Sequence, residues 1–110
     1  MKTEKELKAE LVELKKTHKM VYSVTAFIDK HDDTKTATLF LKDVDRVQRE
    51  SISAANRKLG GIGAVEVALR NLRIGGDELN TVVGNDYATL SAEDGVLEIL
   101  EVKGAILKKN

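Results

Sequence analysis

Val21-Tyr22-Ser23-Val24-Thr25-Ala26-Phe27-Ile28-Asp29 decides the class of this fold. Tyr22, Val24, Ala26 and Ile28 alternate with Val21, Ser23, Thr25 and Phe27. β-Branched and aromatic residues dominate, so the stretch predicts a strand with two unlike faces. Lys30 to Lys35 is polar and supplies a turn. Thr36 to Lys42 repeats the period of two, with Ala37, Leu39 and Leu41 on one face and Thr36, Thr38 and Phe40 on the other. Two such runs so close in sequence predict an antiparallel hairpin, with strands at about 20–29 and 35–42. A lone hairpin is marginal in water, so it must pack on helices or pair with another chain.

The flanks supply helices. Thr3-Glu4-Lys5-Glu6 reads as a capping box, and Leu7, Leu11 and Leu14 follow at helical spacing, which predicts a helix over 3–17. Asp43 is expected to cap a second helix over 43–58, with Val44, Val47, Ala54 and Ala55 as a thin apolar stripe. Gly60, Gly61 and Gly63 break the chain, and Val65, Leu69 and Leu72 mark a third helix over 62–73. Gly75 or Gly76 is expected to end it in the left-handed conformation. Residues 77–87 read as irregular, with room for a turn of helix. Ser91 is expected to cap a last helix over 91–109, apolar over a broad arc. The expected architecture is α+β, one antiparallel hairpin packed with four helices, in a single domain over 1–110.

Composition narrows the function classes. Eighteen Lys and Arg balance eighteen Asp and Glu, so no global field draws the chain to phosphate backbones, and little self-repulsion opposes self-association. The chain has no Cys, which excludes disulfides and thiolate metal sites. With two Phe, two Tyr and no Trp, it has little stacking surface for single-stranded nucleic acid. No apolar run approaches the roughly 20 residues of a membrane span. No signal-peptide apolar region follows Met1 to Glu6, and the expectation is an intracellular protein without membrane partners.

No catalytic constellation emerges. His18 and His31 stand alone, without a second His or a Cys at ligand spacing. Asp29, Asp32 and Asp33 fail the calcium-loop pattern, since counting from Asp29 the twelfth position is Phe40. Gly60-Gly61-Ile62-Gly63 lacks the Gly-Lys-Ser/Thr of a phosphate loop and follows a helix. Ser51 and Ser53 have no His base nearby in sequence. The expectation is a non-enzyme with no cofactor and no metal. Arg46, Arg49, Arg57, Lys58, Arg70 and Arg73 make the middle basic, which leaves nucleic-acid binding through 46–73 as an alternative, disfavoured because no aromatic residues are interleaved.

Four stretches stand out: Lys15-Lys16-Thr17-His18-Lys19-Met20-Val21-Tyr22, Phe40-Leu41-Lys42-Asp43, Gly75-Gly76-Asp77-Glu78, and the run from Leu97 to Lys109. Together they resemble small proteins encoded by phages and prophages of gut Bacteroidales. Asp43 stands where that family carries Pro, and Leu72-Arg73 where it carries Cys-Trp. The resemblance implies a tail-assembly-chaperone-like factor that works by contact with other phage tail or virion proteins in the bacterial host cytoplasm. The alternative within that class is a structural virion component, a capsid- or tail-decorating protein incorporated into the particle, with homo-oligomerisation as its mark. The residues expected to meet a partner are Val96, Ile99, Leu100, Val102 and Ile106 on the last helix. On the outer face of the hairpin, Val21, Phe27 and Phe40 are expected to do the same. The competing reading is that both faces are internal core.

Overall fold

The computed structural model describes residues 1–100. Helix α1 (Glu4–Thr17) opens on a reciprocal cap: Thr3 Oγ1 accepts from the Glu6 amide, and the Glu6 carboxylate accepts from the Thr3 amide. Two amides that a helix start leaves open are thereby satisfied. Leu7, Leu11 and Leu14 are only half-buried, so α1 lies as a cover on the sheet and not inside the core.

Strands β1 (Val21–Asp29) and β2 (Asp32–Lys42) pair antiparallel, with Val21 opposite Lys42 and Phe27 opposite Thr36. The period of two gives the sheet one apolar face, formed by Val24, Ala26, Ala37, Leu39 and Leu41, all buried. Helix α2 (Arg46–Leu72) and helix α3 (Asp86–Leu100) close over that face. Ala64, Val65, Ala68, Leu69 and Leu72 come from α2, and Ala88, Ala92, Val96 and Ile99 from α3. Ala88, Ala92 and Gly95 on α3 let that helix approach the sheet closely, and a Cβ at Gly95 would stand 3.2 Å from Val24 Cγ1.

The expectation of four helices around one hairpin is corrected: the described residues form three helices and a three-stranded antiparallel sheet. Residues 46–72 form two helical arms of one element, α2, which meet at a break: Gly60 has a φ of 82° and a ψ of −172°, outside the helical region. The cap of α2 is Asp45 and not Asp43, with Gln48 returning the bond. Strand β3 (Arg73–Gly76) was not anticipated. It pairs antiparallel with β2, Phe40 opposite Gly75 and Leu39 opposite Gly76, giving the order β1-β2-β3. Arg-Ile-Gly-Gly has no alternation to read, so tertiary pairing and not local propensity makes this strand. Gly76 does adopt a positive φ, 94°, but at the end of β3 and not as the cap of α2, which ends on extended Arg73.

The last helix also starts earlier than expected. Asn85 Oδ1 accepts from the Ala88 amide, and the Asn85 carbonyl from the Thr89 amide, so α3 begins five residues before Ser91. A 3-10 turn, Leu79–Thr81, and buried Val82 and Val83 lead into it. The expected continuation of this helix to 109 lies outside the described residues.

Candidate functional site

A cluster of part-buried polar bonds joins α1, β2 and β3. Asp77 is 3% exposed. Its Oδ1 accepts from the Lys2 amide at 2.9 Å and its Oδ2 from the Thr38 amide at 2.8 Å. Its own amide donates to the Thr38 carbonyl at 2.8 Å. The Arg73 guanidinium donates to the Asp77 carbonyl from Nε and Nη2. Next to it, Glu10 Oε1 accepts from the Gly76 amide at 3.0 Å and from Lys2 Nζ at 2.7 Å. Asp, Glu, Lys and Arg in one place have the composition of an active site. Here both Asp77 oxygens are engaged by backbone amides, and the guanidinium by backbone carbonyls. The cluster is a clasp that holds α1 and the N-terminal residues to β3.

Burial pushes the Glu10 carboxyl up. The Lys2 hydrogen bond, the Gly76 amide and the positive charges of Lys2 and Arg73 together outweigh it, so Glu10 lies below its ordinary value of 4.5. A carboxyl depressed on folding stabilises the native state above its unfolded value, and that contribution is lost as pH falls through the depressed one. Between about pH 5 and about pH 3, the urea midpoint of the native protein is expected to fall more steeply than that of Glu10→Gln. Equal slopes would show that the carboxylate is not coupled to folding.

The turn between β1 and β2 is occupied by its own bonds. Asp29 accepts from the His31 amide, and Asp32 from the Thr34 amide and hydroxyl. Among the described residues no three His, Cys, Asp or Glu side chains come together as a metal set, and no helix is long and apolar enough to cross a membrane.

α3 carries the apolar surface. Ala88, Thr89, Ala92, Val96 and Ile99 point inward. Tyr87, Leu90 and Leu97 lie on the opposite side at 41%, 49% and 52% exposure, with Asp94 among them. At about 100° per residue these four positions fall in one stripe. Leu97 also borders a cleft of about 200 Å³ lined by Ile52, Asn56, Gly61, Ala64 and Glu93. The bend at Gly60 creates that cleft by turning the first arm of α2 across the end of α3. Arg49 Nη1 fixes the arm there, donating to the Leu100 carbonyl at 2.6 Å. Leu59, next to the bend, is also exposed. The described turns of α3 carry Asp86, Glu93, Asp94 and Glu98 and no Lys or Arg, and none of the four joins an ion pair among the described residues.

The expected partner residues are distributed differently. Val96 and Ile99 are core, because the inner face of α3 is wholly used by the sheet. Phe40 is 2% exposed, since it lies opposite Gly75 on the side where α1 sits. Leu100 and Val21 are half-buried, and Phe27 is exposed at 44%. Val102 and Ile106 lie outside the described residues. Tyr87, Leu90 and Leu97 were missed. Their spacing becomes readable only when the helix starts at Asn85, which is a strong capping residue in its own right. In the basic middle, Arg49 and Arg73 donate to backbone carbonyls, while Arg57, Lys58 and Arg70 are exposed, as is Arg46, which pairs with Glu50 one turn on at the surface.

The chain matches no family model, no curated protein and no solved structure.

Proposed function

We propose that this protein acts without catalysis, by contact with other proteins, as a tail-assembly-chaperone-like morphogenesis factor of a phage or prophage. The observation that carries the contact reading is the exposed stripe Tyr87, Leu90 and Leu97 beside the cleft at the Gly60 bend. Exposed apolar side chains contribute about 25 cal/mol per Å² once a partner covers them. The phage assignment rests on the sequence resemblance, which names other tail or virion proteins as the partners and the host cytoplasm as the place of action. Nucleic acid is the weaker partner, because Arg49 and Arg73 donate to backbone carbonyls and no aromatic residues are interleaved with the exposed Arg46, Arg57, Lys58 and Arg70.

The test is binding to the tail-tube and tape-measure proteins encoded in the same genome, together with light scattering behind a sizing column at low and high salt. A doubly substituted Leu90→Asp, Leu97→Asp protein is expected to bind at least about 30-fold more weakly, the size of a lost interface hot spot. Its melting temperature should stay near the wild-type value, since both side chains are half-exposed. Unchanged binding by that variant would remove the stripe from the site. A salt-resistant oligomer that binds none of these proteins would instead favour a structural virion component.

A further inference from the structure

We propose that the open half of the β1 edge, from Val21 to Thr25, takes an extended basic-apolar segment of another protein as an added strand, seated between β1 and α3. This inference concerns a different surface from the α3 stripe and does not rest on the function proposed above.

Among the described residues β1 is an edge strand, nine residues long, and it contains no Lys, Arg or Pro. Charge and proline are the common means by which exposed edges are kept from pairing. The direction of its free groups follows from the ladder. On β2, the Thr38 amide and carbonyl both turn away from β1 and bond Asp77. Thr25–Thr38 is therefore a pair without mutual backbone bonds, and Thr25 turns its own amide and carbonyl outward. The period of two places Ser23 and Phe27 the same way. At the Phe27 end, α3 closes the edge: the Phe27 amide donates to Ser91 Oγ at 2.8 Å, and Asn85 Nδ2 donates to the Ile28 carbonyl at 3.1 Å. No such partner reaches the amides of Ser23 or Thr25 among the described residues, and both residues are exposed.

α3 runs back along this edge, with Ser91 at Phe27 and Gly95 at Val24. Beyond Gly95 the helix and the edge enclose a groove of about 260 Å³, lined by Tyr22, Ser23, Val24, Gly95, Glu98 and Ile99. An unpaired strand edge supplies main-chain hydrogen bonds to an incoming strand, and the groove beside it selects alternate side chains. Val24 and Ile99 make that groove apolar, while Glu98 gives it a negative charge. A segment alternating apolar and basic residues fits both. A second copy fits poorly: antiparallel pairing of two β1 edges has its dyad normal to the sheet, which would bring both α3 helices to the same side of the same edge.

Residue-resolved amide exchange on the full chain tests this, with a blocked hexapeptide alternating valine and lysine and its valine–glutamate counterpart as probes. The valine–lysine peptide is expected to slow exchange at Ser23 and Thr25 by about tenfold or more at saturation, while the glutamate peptide leaves both unchanged. Glu98→Lys, a change at an exposed position, is expected to reverse that preference. No slowing at millimolar valine–lysine peptide would overturn the proposal. So would equal slowing by both peptides in the native protein, or protection of Ser23 and Thr25 that rises with protein concentration when no peptide is present. The last result would mean that the edge pairs with a second copy.

Discussion

Gly76→Ala is expected to lower the unfolding free energy by about 3 kcal/mol, and the melting temperature by about 10–20 °C. Two effects act at this position. The backbone holds φ at 94°, in the left-handed half that L residues resist. The Cβ would also be driven into the Thr38 carbonyl oxygen, and would stand 2.9 Å from Leu39 Cα and 3.0 Å from Phe40 N. These are backbone atoms of the central strand, so no side chain can swing aside. Gly84 separates the two effects, since its φ is also 94° but nothing lies within 4 Å of its Cβ position. Gly84→Ala is expected to cost only about 1 kcal/mol. Equal losses in the two variants, measured by urea unfolding, would show that the β2–β3 approach is not what demands glycine.

Asp77→Ala is expected to cost about 2–3 kcal/mol, because two amides lose their acceptor together. Thr38 is the more serious loss, as its amide lies part-buried at the β2–β3 side of the sheet. The Lys2 amide, nearer the surface, can recover water. Asp77→Asn keeps the size and one acceptor oxygen, so it is expected to fall between the wild type and Asp77→Ala. Urea midpoints should drop with little change in slope, the sign of lost stability without a changed unfolded state. A loss below about 0.5 kcal/mol for Asp77→Ala would contradict the clasp, since that is the range of substitutions touching nothing special. The clasp also gives Gly75-Gly76-Asp77 a purpose within the fold. The segment that carries part of the sequence resemblance is engaged in holding β3, α1 and the N-terminal residues together, and its polar atoms are not free for chemistry.

The candidate surfaces were only partly legible in the sequence. Phe27 is exposed as expected of an outer hairpin face, whereas Phe40 on the same face is buried. Alternation says which residues share a face, but not which part of that face another element will cover. On α3 the broad apolar arc was visible, yet its inner residues Val96 and Ile99 are core, and the exposed ones are Tyr87, Leu90 and Leu97. Placing the helix start at Ser91 hid that stripe. Ser91 has a good capping side chain, but it serves the edge of β1 instead, a partner 64 residues away in sequence.

By itself the sequence determined the elements whose signals are local. The Thr3–Glu6 box starts α1, and the alternation over 21–29 and 36–42 makes two strands with one apolar face. Such signals work because caps and pleats bring together atoms only a few residues apart. The tertiary structure alone decided β3, the seating of the first arm of α2 on the end of α3, and the division of β1 into a closed end and an open one. Each of these depends on a distant partner: Thr38 for Asp77, Leu100 for Arg49, and Asn85 and Ser91 for Ile28 and Phe27. No periodicity records a bond between residues that far apart, because it forms only after the chain between them has folded.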